Sequence, residues 1–227
     1  MKKLICAIDT ADIDYALQVA QSIKSYVSHI KLGLEFFSKY GIKGVENIAN
    51  CGTPIFLDLK LHDIPNTVAK TLNVINRICG VEMTTIHIAG GNNMINAAKE
   101  ALANTKIKLL GVTLLTSLKQ SDLKEIGIEK DVLQHIKNTA LFGKKNGLDG
   151  VVCSLWESEM IKECCGQDFL TVTPGIGSGF DQQRCVSSDT INNYKSDYIV
   201  VGRMITQSND PKTVAANLFS KINQKKP

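Results

Sequence analysis

Phe56-Leu57-Asp58-Leu59-Lys60-Leu61-His62-Asp63-Ile64-Pro65-Asn66-Thr67 joins a strand to a helix and carries an acid, a base and a second acid at D-x-K-x-x-D spacing. Its first residues read as a buried apolar strand. Residues two apart on a strand share a face, so Asp58 and Lys60 point one way while Leu57 and Leu59 point the other. Pro65 suits the first turn of a helix, which leaves Asp63 in the connecting turn. Charges are almost never buried unless they are paired. An acid and a base on one face of such a strand therefore call for partners or a use.

The same strand-then-helix unit recurs along the chain. Short β-branched apolar runs fall at 4–8, 29–32, 55–60, 83–88, 108–114, 150–153, 170–173 and 198–201. Helical patterns follow at 13–25, 35–49, 65–79, 93–103, 131–146, 157–164, 190–194 and 211–222. Asp12 and Asp210 stand where N-caps belong, and Gly80, Gly147 and Gly166 where helices end. Eight such units predict a single closed (β/α)8 barrel over residues 1–227, somewhat under the ~250 residues typical of the fold. An open doubly wound sheet is the competing arrangement. The polar connection 117–130 after the fifth strand is long enough to act as a lid.

Composition narrows the function classes. The chain of 227 residues is 44% hydrophobic and 21% charged, with a formal net charge of +4. Its lysines are dispersed and only Arg77, Arg184 and Arg203 are arginines, so no basic block points to nucleic acid. No apolar run approaches the ~18 residues of a membrane span. Met1–Ile8 imitates the start of a leader, but Asp9 cuts the apolar run short of the roughly 7–15 residues required. Seven cysteines without C-x-x-C spacing suit a reducing compartment, and the expected location is the cytoplasm.

With the strands placed, the polar residues gather at their C-terminal ends. Asp9 ends the first strand, Lys31 the second, Asp58 and Lys60 the third and His87 the fourth. Thr113 and Thr116 follow the fifth, and Gly202-Arg203 the eighth. Barrel enzymes keep their active sites on that face. Thr173-Pro174-Gly175-Ile176-Gly177-Ser178-Gly179 is a glycine-rich loop after the seventh strand, and Arg203 offers a planar fork of donors. Loops seven and eight are the usual phosphate site of such barrels. Metal binding is disfavoured, because Lys31 and Lys60 would repel a divalent cation and neutralise the acids themselves. No His/Cys cluster has zinc spacing, and Ser154 lacks a nucleophile-elbow setting.

At these residues the chain resembles the orotidine 5′-phosphate decarboxylase family. The resemblance covers essentially the whole length: Ala7-Ile8-Asp9, Ile30-Lys31-Leu32-Gly33, the 56–67 stretch, Thr85-Ile86-His87-Ile88-Ala89-Gly90-Gly91, Val112–Ser117, Thr173–Ile176 and Val200-Val201-Gly202-Arg203. It implies a homodimeric barrel without metal or cofactor that decarboxylates orotidine 5′-phosphate to UMP. Lys60 would be the proton donor. Asp58 would face the substrate carboxylate, Lys31 would bridge Asp58 and the ribose, Asp9 would bind ribose hydroxyls, and Thr116 the pyrimidine. Asp63, Ile64 and Thr67 would reach into the partner's site, while Gln182, Gly202 and Arg203 would hold the phosphate. The chain departs from the family pattern at Gly177, where an arginine is usual, at the early arrival of Asp181-Gln182, and at Met204 in place of proline.

Two other readings share part of the pattern. A Mg²⁺-dependent phosphosugar decarboxylase or synthase of the same barrel group has D-x-K-x-x-D but carries an acid where Lys31 stands. A catalytically silent nucleotide-binding homologue would lack some of the five charges Asp9, Lys31, Asp58, Lys60 and Asp63, all of which are present.

Overall fold

The computed structural model describes residues 3–175 and 194–224. Eight parallel strands follow one another around a closed barrel: β1 (Lys3–Ala7), β2 (His29–Leu32), β3 (Ile55–Leu61), β4 (Val81–His87), β5 (Lys108–Val112), β6 (Gly150–Val152), β7 (Leu170–Thr173) and β8 (Tyr198–Val201). β8 returns to β1 in the register Lys3↔Tyr198 to Cys6↔Val201. That pairing excludes the open doubly wound sheet, and closure leaves no sheet edge to protect.

The described helices are α1 (Ile13–Ile23), α2 (Leu34–Ala49), α3 (Pro65–Ile75), α4 (Gly91–Ala101), α5 (Gln120–Glu125), α6 (Val132–Lys145), α7 (Leu155–Cys165), α8 (Arg203–Thr206) and α9 (Pro211–Asn223). Their inward faces follow helical spacing: Ala16, Val19, Ala20 and Ile23 on α1, and Val68, Leu72 and Ile75 on α3, are buried. Asp12 and Asp210 do cap α1 and α9, accepting from the Tyr15 and Thr213 amides. Most element ends move by one or two residues, and larger departures occur at α3 and after β5. α3 ends at Ile75 rather than Cys79, and the 117–130 connection contains α5. That helix forms because Leu123 is fully buried against the core while Asp122 accepts from the Lys119 amide. Of the expected helix at 190–194, residues 190–193 lie outside the described residues.

Two apolar clusters hold the barrel. Ile5, Phe56, Met83, Leu110, Val152, Val172, Tyr198 and Val200 fill the interior, while a larger cluster packs the outer strand faces against the helices. Strands buried on both faces need continuous apolar runs, which is why the sequence shows runs rather than alternation. One place breaks the regular ladder. Leu57 of β3 faces Thr84 of β4, and Leu61 faces Ile86, so residues 58–60 stand opposite Thr85 alone. This bulge lies where the charges begin.

The opposite, N-terminal mouth is closed by Tyr198. The Lys3 and Lys108 ammoniums lie 3.4 and 3.5 Å from its hydroxyl, and His29 packs edge-on against its ring. Burial pushes the His29 imidazole down to about 4; Glu82, 3.4 Å away, opposes this, and Lys3 and Lys108 add to it. Between pH 6.5 and 4 the unfolded chain binds a proton at His29 that the folded chain does not. Stability therefore falls as the pH drops through that window. Urea unfolding across it should show His29 contributing on the order of 2 kcal/mol of acid loss, which His29→Gln removes. Equal pH slopes in the two proteins would take His29 out of the account.

Candidate active site

A cavity of about 910 Å³ opens at the C-terminal ends of the strands. The barrel's interior plug forms its apolar floor through Phe56, Val152, Val172 and Val200. Asp9, Lys31, Asp58 and Lys60 stand on its wall from β1 to β3, Thr116 from the segment after β5, and Gly202 and Arg203 from the end of β8. Residues spread over nearly two hundred positions thus converge on one mouth, because each strand delivers its C-terminal end there.

The polar wall is a chain of alternating charges. Lys31 Nζ lies 3.4 Å from Asp9 Oδ2 and 3.5 Å from Asp58 Oδ2, and Lys60 Nζ lies 2.8 Å from that same Asp58 oxygen. The other Asp58 oxygen, Oδ1, accepts from the Thr85 hydroxyl at 2.9 Å. Asp58 is buried, and burial pushes its carboxyl up. Lys31, Lys60 and the hydrogen bonds from Lys60 and Thr85 outweigh that and hold it below its ordinary value. For Lys31 burial acts to lower the pKa, but Asp58 and Asp9 outweigh it and raise the ammonium above its ordinary value. Asp9 in turn is fixed by the Gly33 amide, which donates to Oδ1 at 3.1 Å. A Cβ at position 33 would lie 2.5 Å from that oxygen, so the contact requires glycine.

Lys60 has a backbone φ of +50°, the one positive value outside glycine among the described residues. For an L-residue that conformation costs roughly 1–2 kcal/mol, and strain of this kind persists only where the surroundings enforce it. The bulge opposite Thr85 is the enforcing element, with the Lys60 amide donating to Thr85 Oγ1 at 2.9 Å. His87, at the end of β4, stacks on His62 with ring centres 5.2 Å apart. Burial holds its pKa below the ordinary value, assisted by His62 and Lys60. Among the described residues no three His, Cys, Asp or Glu side chains form a metal-ligand cluster.

Sequence reasoning placed Asp9, Lys31, Asp58, Lys60, Thr116, Gly202 and Arg203, and all seven line the cavity. Asp63, Ile64 and Thr67 do not. They are exposed at the turn into α3, where Asp63 accepts from the Ile64 amide. Thr113 is buried beside the site, its hydroxyl bound to the Val152 carbonyl. Gln182 and Gly177 lie outside the described residues. Thr85 was missed, although its strand parity with Met83 and His87 points it inward. A lone hydroxyl in a β-branched run looks like strand filler.

Residues 2–218 match the profile of the family described as "Orotidine 5'-phosphate decarboxylase / HUMPS family". An orotidine 5′-phosphate decarboxylase of Wolbachia sp. subsp. Brugia malayi is 44% identical over 98% of this chain and 100% of its own length. The crystal structure of the Lactobacillus acidophilus enzyme of that name aligns with a TM-score of 0.88 at 33% identity, covering 99% of this chain and all of the other. That of the Methanocaldococcus jannaschii enzyme, complexed with the inhibitor BMP, aligns with a TM-score of 0.81 at 25% identity, covering 99% of this chain and 100% of the other.

The charge chain yields a direct test. Lys31→Met leaves Asp9 without its lysine and Asp58 with only Lys60, and removing one partner of a buried ion pair costs about 3–5 kcal/mol. A loss near the lower end of that range is expected in urea unfolding at neutral pH. An unchanged midpoint and slope would mean that Lys60 and Thr85 alone satisfy Asp58.

Proposed function

The chain belongs to the orotidine 5′-phosphate decarboxylase / HUMPS family, its reaction is the decarboxylation of orotidine 5′-phosphate to UMP in pyrimidine biosynthesis, and we propose that Lys60 delivers the proton without metal or cofactor. The observation that carries this reading is the Lys60 ammonium, held 2.8 Å from buried Asp58 at the wall of the cavity.

Losing CO₂ breaks the bond between the substrate carboxylate and the pyrimidine ring. The electron pair stays on the ring carbon in an in-plane sp² orbital that the π system cannot absorb. A fixed cation beside that carbon stabilises the transition state more than the ground state, which is the condition for catalysis. The Lys60 N–H bond then breaks as the ring C–H bond forms, giving UMP, and the amine regains its proton from solvent. Asp58 faces the substrate carboxylate and holds Lys60 in place, while Lys31 bridges Asp58 and the ribose. Asp9 takes ribose hydroxyls and Thr116 the pyrimidine. Gly202 and Arg203, joined by Gln182, take the phosphate, whose binding energy is spent at the distant ring.

The lysines also support the metal-free reading. A divalent cation between Asp9 and Asp58 would have to displace Lys31, which already contacts both. Purified protein with excess chelator should consume orotidine 5′-phosphate, followed by its ultraviolet absorbance. Lys60→Ala should abolish turnover yet still bind UMP. Turnover that depends wholly on added Mg²⁺ would instead favour the phosphosugar branch, and an active Lys60→Ala would remove Lys60 from its role.

The functional unit is a homodimer with shared sites, in the cytoplasm. Ile64 is an apolar side chain 65% exposed beside Asp63, and Leu34 and Val74 are also exposed, which suits cover by a second copy. The six described cysteines are free thiols, as a reducing compartment favours. If Asp63 serves the partner's Lys60, mixing Lys60→Ala with Asp63→Ala subunits creates heterodimers with one intact site. Activity should then rise to about a quarter of the parent value in a randomised mixture. Subunits that exchange without any recovery would show that Asp63 works within its own chain.

A further inference from the structure

We infer that Thr85 is a positioning residue for the decarboxylation, a single hydroxyl that sets the Asp58 carboxylate and the Lys60 backbone relative to each other. Residues 58–60 of β3 stand opposite Thr85 alone, so the regular ladder between β3 and β4 is interrupted where Asp58 and Lys60 must be held. Thr85 occupies the gap. Its hydroxyl donates to Asp58 Oδ1 at 2.9 Å and accepts from the Lys60 amide at 2.9 Å.

A hydroxyl has one hydrogen to give and lone pairs to receive. With its hydrogen committed to Asp58, the Thr85 oxygen faces the Lys60 amide with a lone pair. Both contacts are therefore made by one fully buried atom with no freedom to rotate away. The consequence is a division of labour around Asp58. Lys31 and Lys60 bind Oδ2, and Thr85 alone among the described side chains is seen on Oδ1. Charge pairing sets how strongly the carboxylate is held, while the Thr85 bond sets which way it faces. The same atom pins Lys60, the one non-glycine residue with positive φ among the described residues, and so the direction in which its side chain leaves the backbone.

Valine is nearly isosteric with threonine and makes neither bond. This inference rests on Lys60 as the proton donor, and Lys60→Ala is therefore assayed in parallel. Thr85→Val should lower kcat by about 10- to 100-fold, the scale of loss for a misplaced catalytic group. KM and the Kd for UMP should stay within about threefold, because phosphate and ribose contacts lie elsewhere. Thr85→Ser keeps the hydroxyl and should recover most of kcat, whereas a residue needed only for packing would tolerate valine better than serine. Should Thr85→Val not fold, Thr85→Ala is judged by the same comparison with serine. A kcat for the valine or alanine variant within about threefold of the parent, or a serine variant as slow as either, overturns the inference. An active Lys60→Ala overturns the underlying reading instead. An inactive Lys60→Ala beside an unimpaired Thr85→Val removes Thr85 alone.

Discussion

The buried carboxylate of Asp58 is the constraint around which the barrel mouth is arranged. An isolated anion in that position would not survive desolvation, which costs several kcal/mol for each ion. It persists because Lys31, Lys60 and Thr85 together supply two cations and a neutral donor. Each of those partners comes from a different local cause: a strand end, a bulge and an inward-facing hydroxyl on the neighbouring strand. Lys31 in turn requires Asp9, and Asp9 requires the bare amide of Gly33. The site is thus one electrostatic chain, ordered before substrate arrives, and such order reduces reorganisation during the reaction.

Closure of the sheet makes that chain possible. Each strand contributes only one or two residues to the mouth, so Asp9, Lys31, Asp58, Lys60 and Arg203 gather only because the strand ends meet around it. The interior plug centred on Phe56, Val152 and Val172 separates this mouth from the Tyr198–His29 end. The two ends handle charge in opposite ways. At the cavity end acids and lysines are paired, which holds the Asp58 carboxyl below its ordinary value and the Lys31 ammonium above its own. At the other end His29 is kept neutral by burial between two lysines and against an aromatic ring. The first arrangement lines the cavity, and the second makes the fold sensitive to acid without touching it.

Much of this was legible in the sequence. Eight apolar runs with helical patterns between them gave the barrel, and strand parity put Asp58 and Lys60 on the inner face. The D-x-K-x-x-D string and the positions of Asp9 and Lys31 gave the family. The bulge was not legible, because Leu57-Asp58-Leu59-Lys60-Leu61 alternates as a regular strand would. Its cause lies in the register with β4, which no local pattern encodes. Thr85 was hidden for the same reason, since a hydroxyl acquires its role only once two residues are brought opposite it. The helix α5 was hidden by polarity: Leu123 buries a single apolar side chain in an otherwise solvated segment.

The bulge also explains why the motif tolerates strain. In a regular strand the Cα atoms of residues two apart lie about 6.7 Å apart and their side chains run nearly parallel. Asp58 and Lys60 would then face the cavity as neighbours, with neither fixing the other. Compressing residues 58–60 against one residue of β4 turns the chain at Lys60 and brings its ammonium onto Asp58. The cost is a left-handed backbone at Lys60, roughly 1–2 kcal/mol, which glycine would avoid but without an ammonium to pair with Asp58. A residue strained in a conformation that its side chain disfavours, yet anchored by a buried hydroxyl and a carboxylate, is what selection for geometry over stability leaves behind.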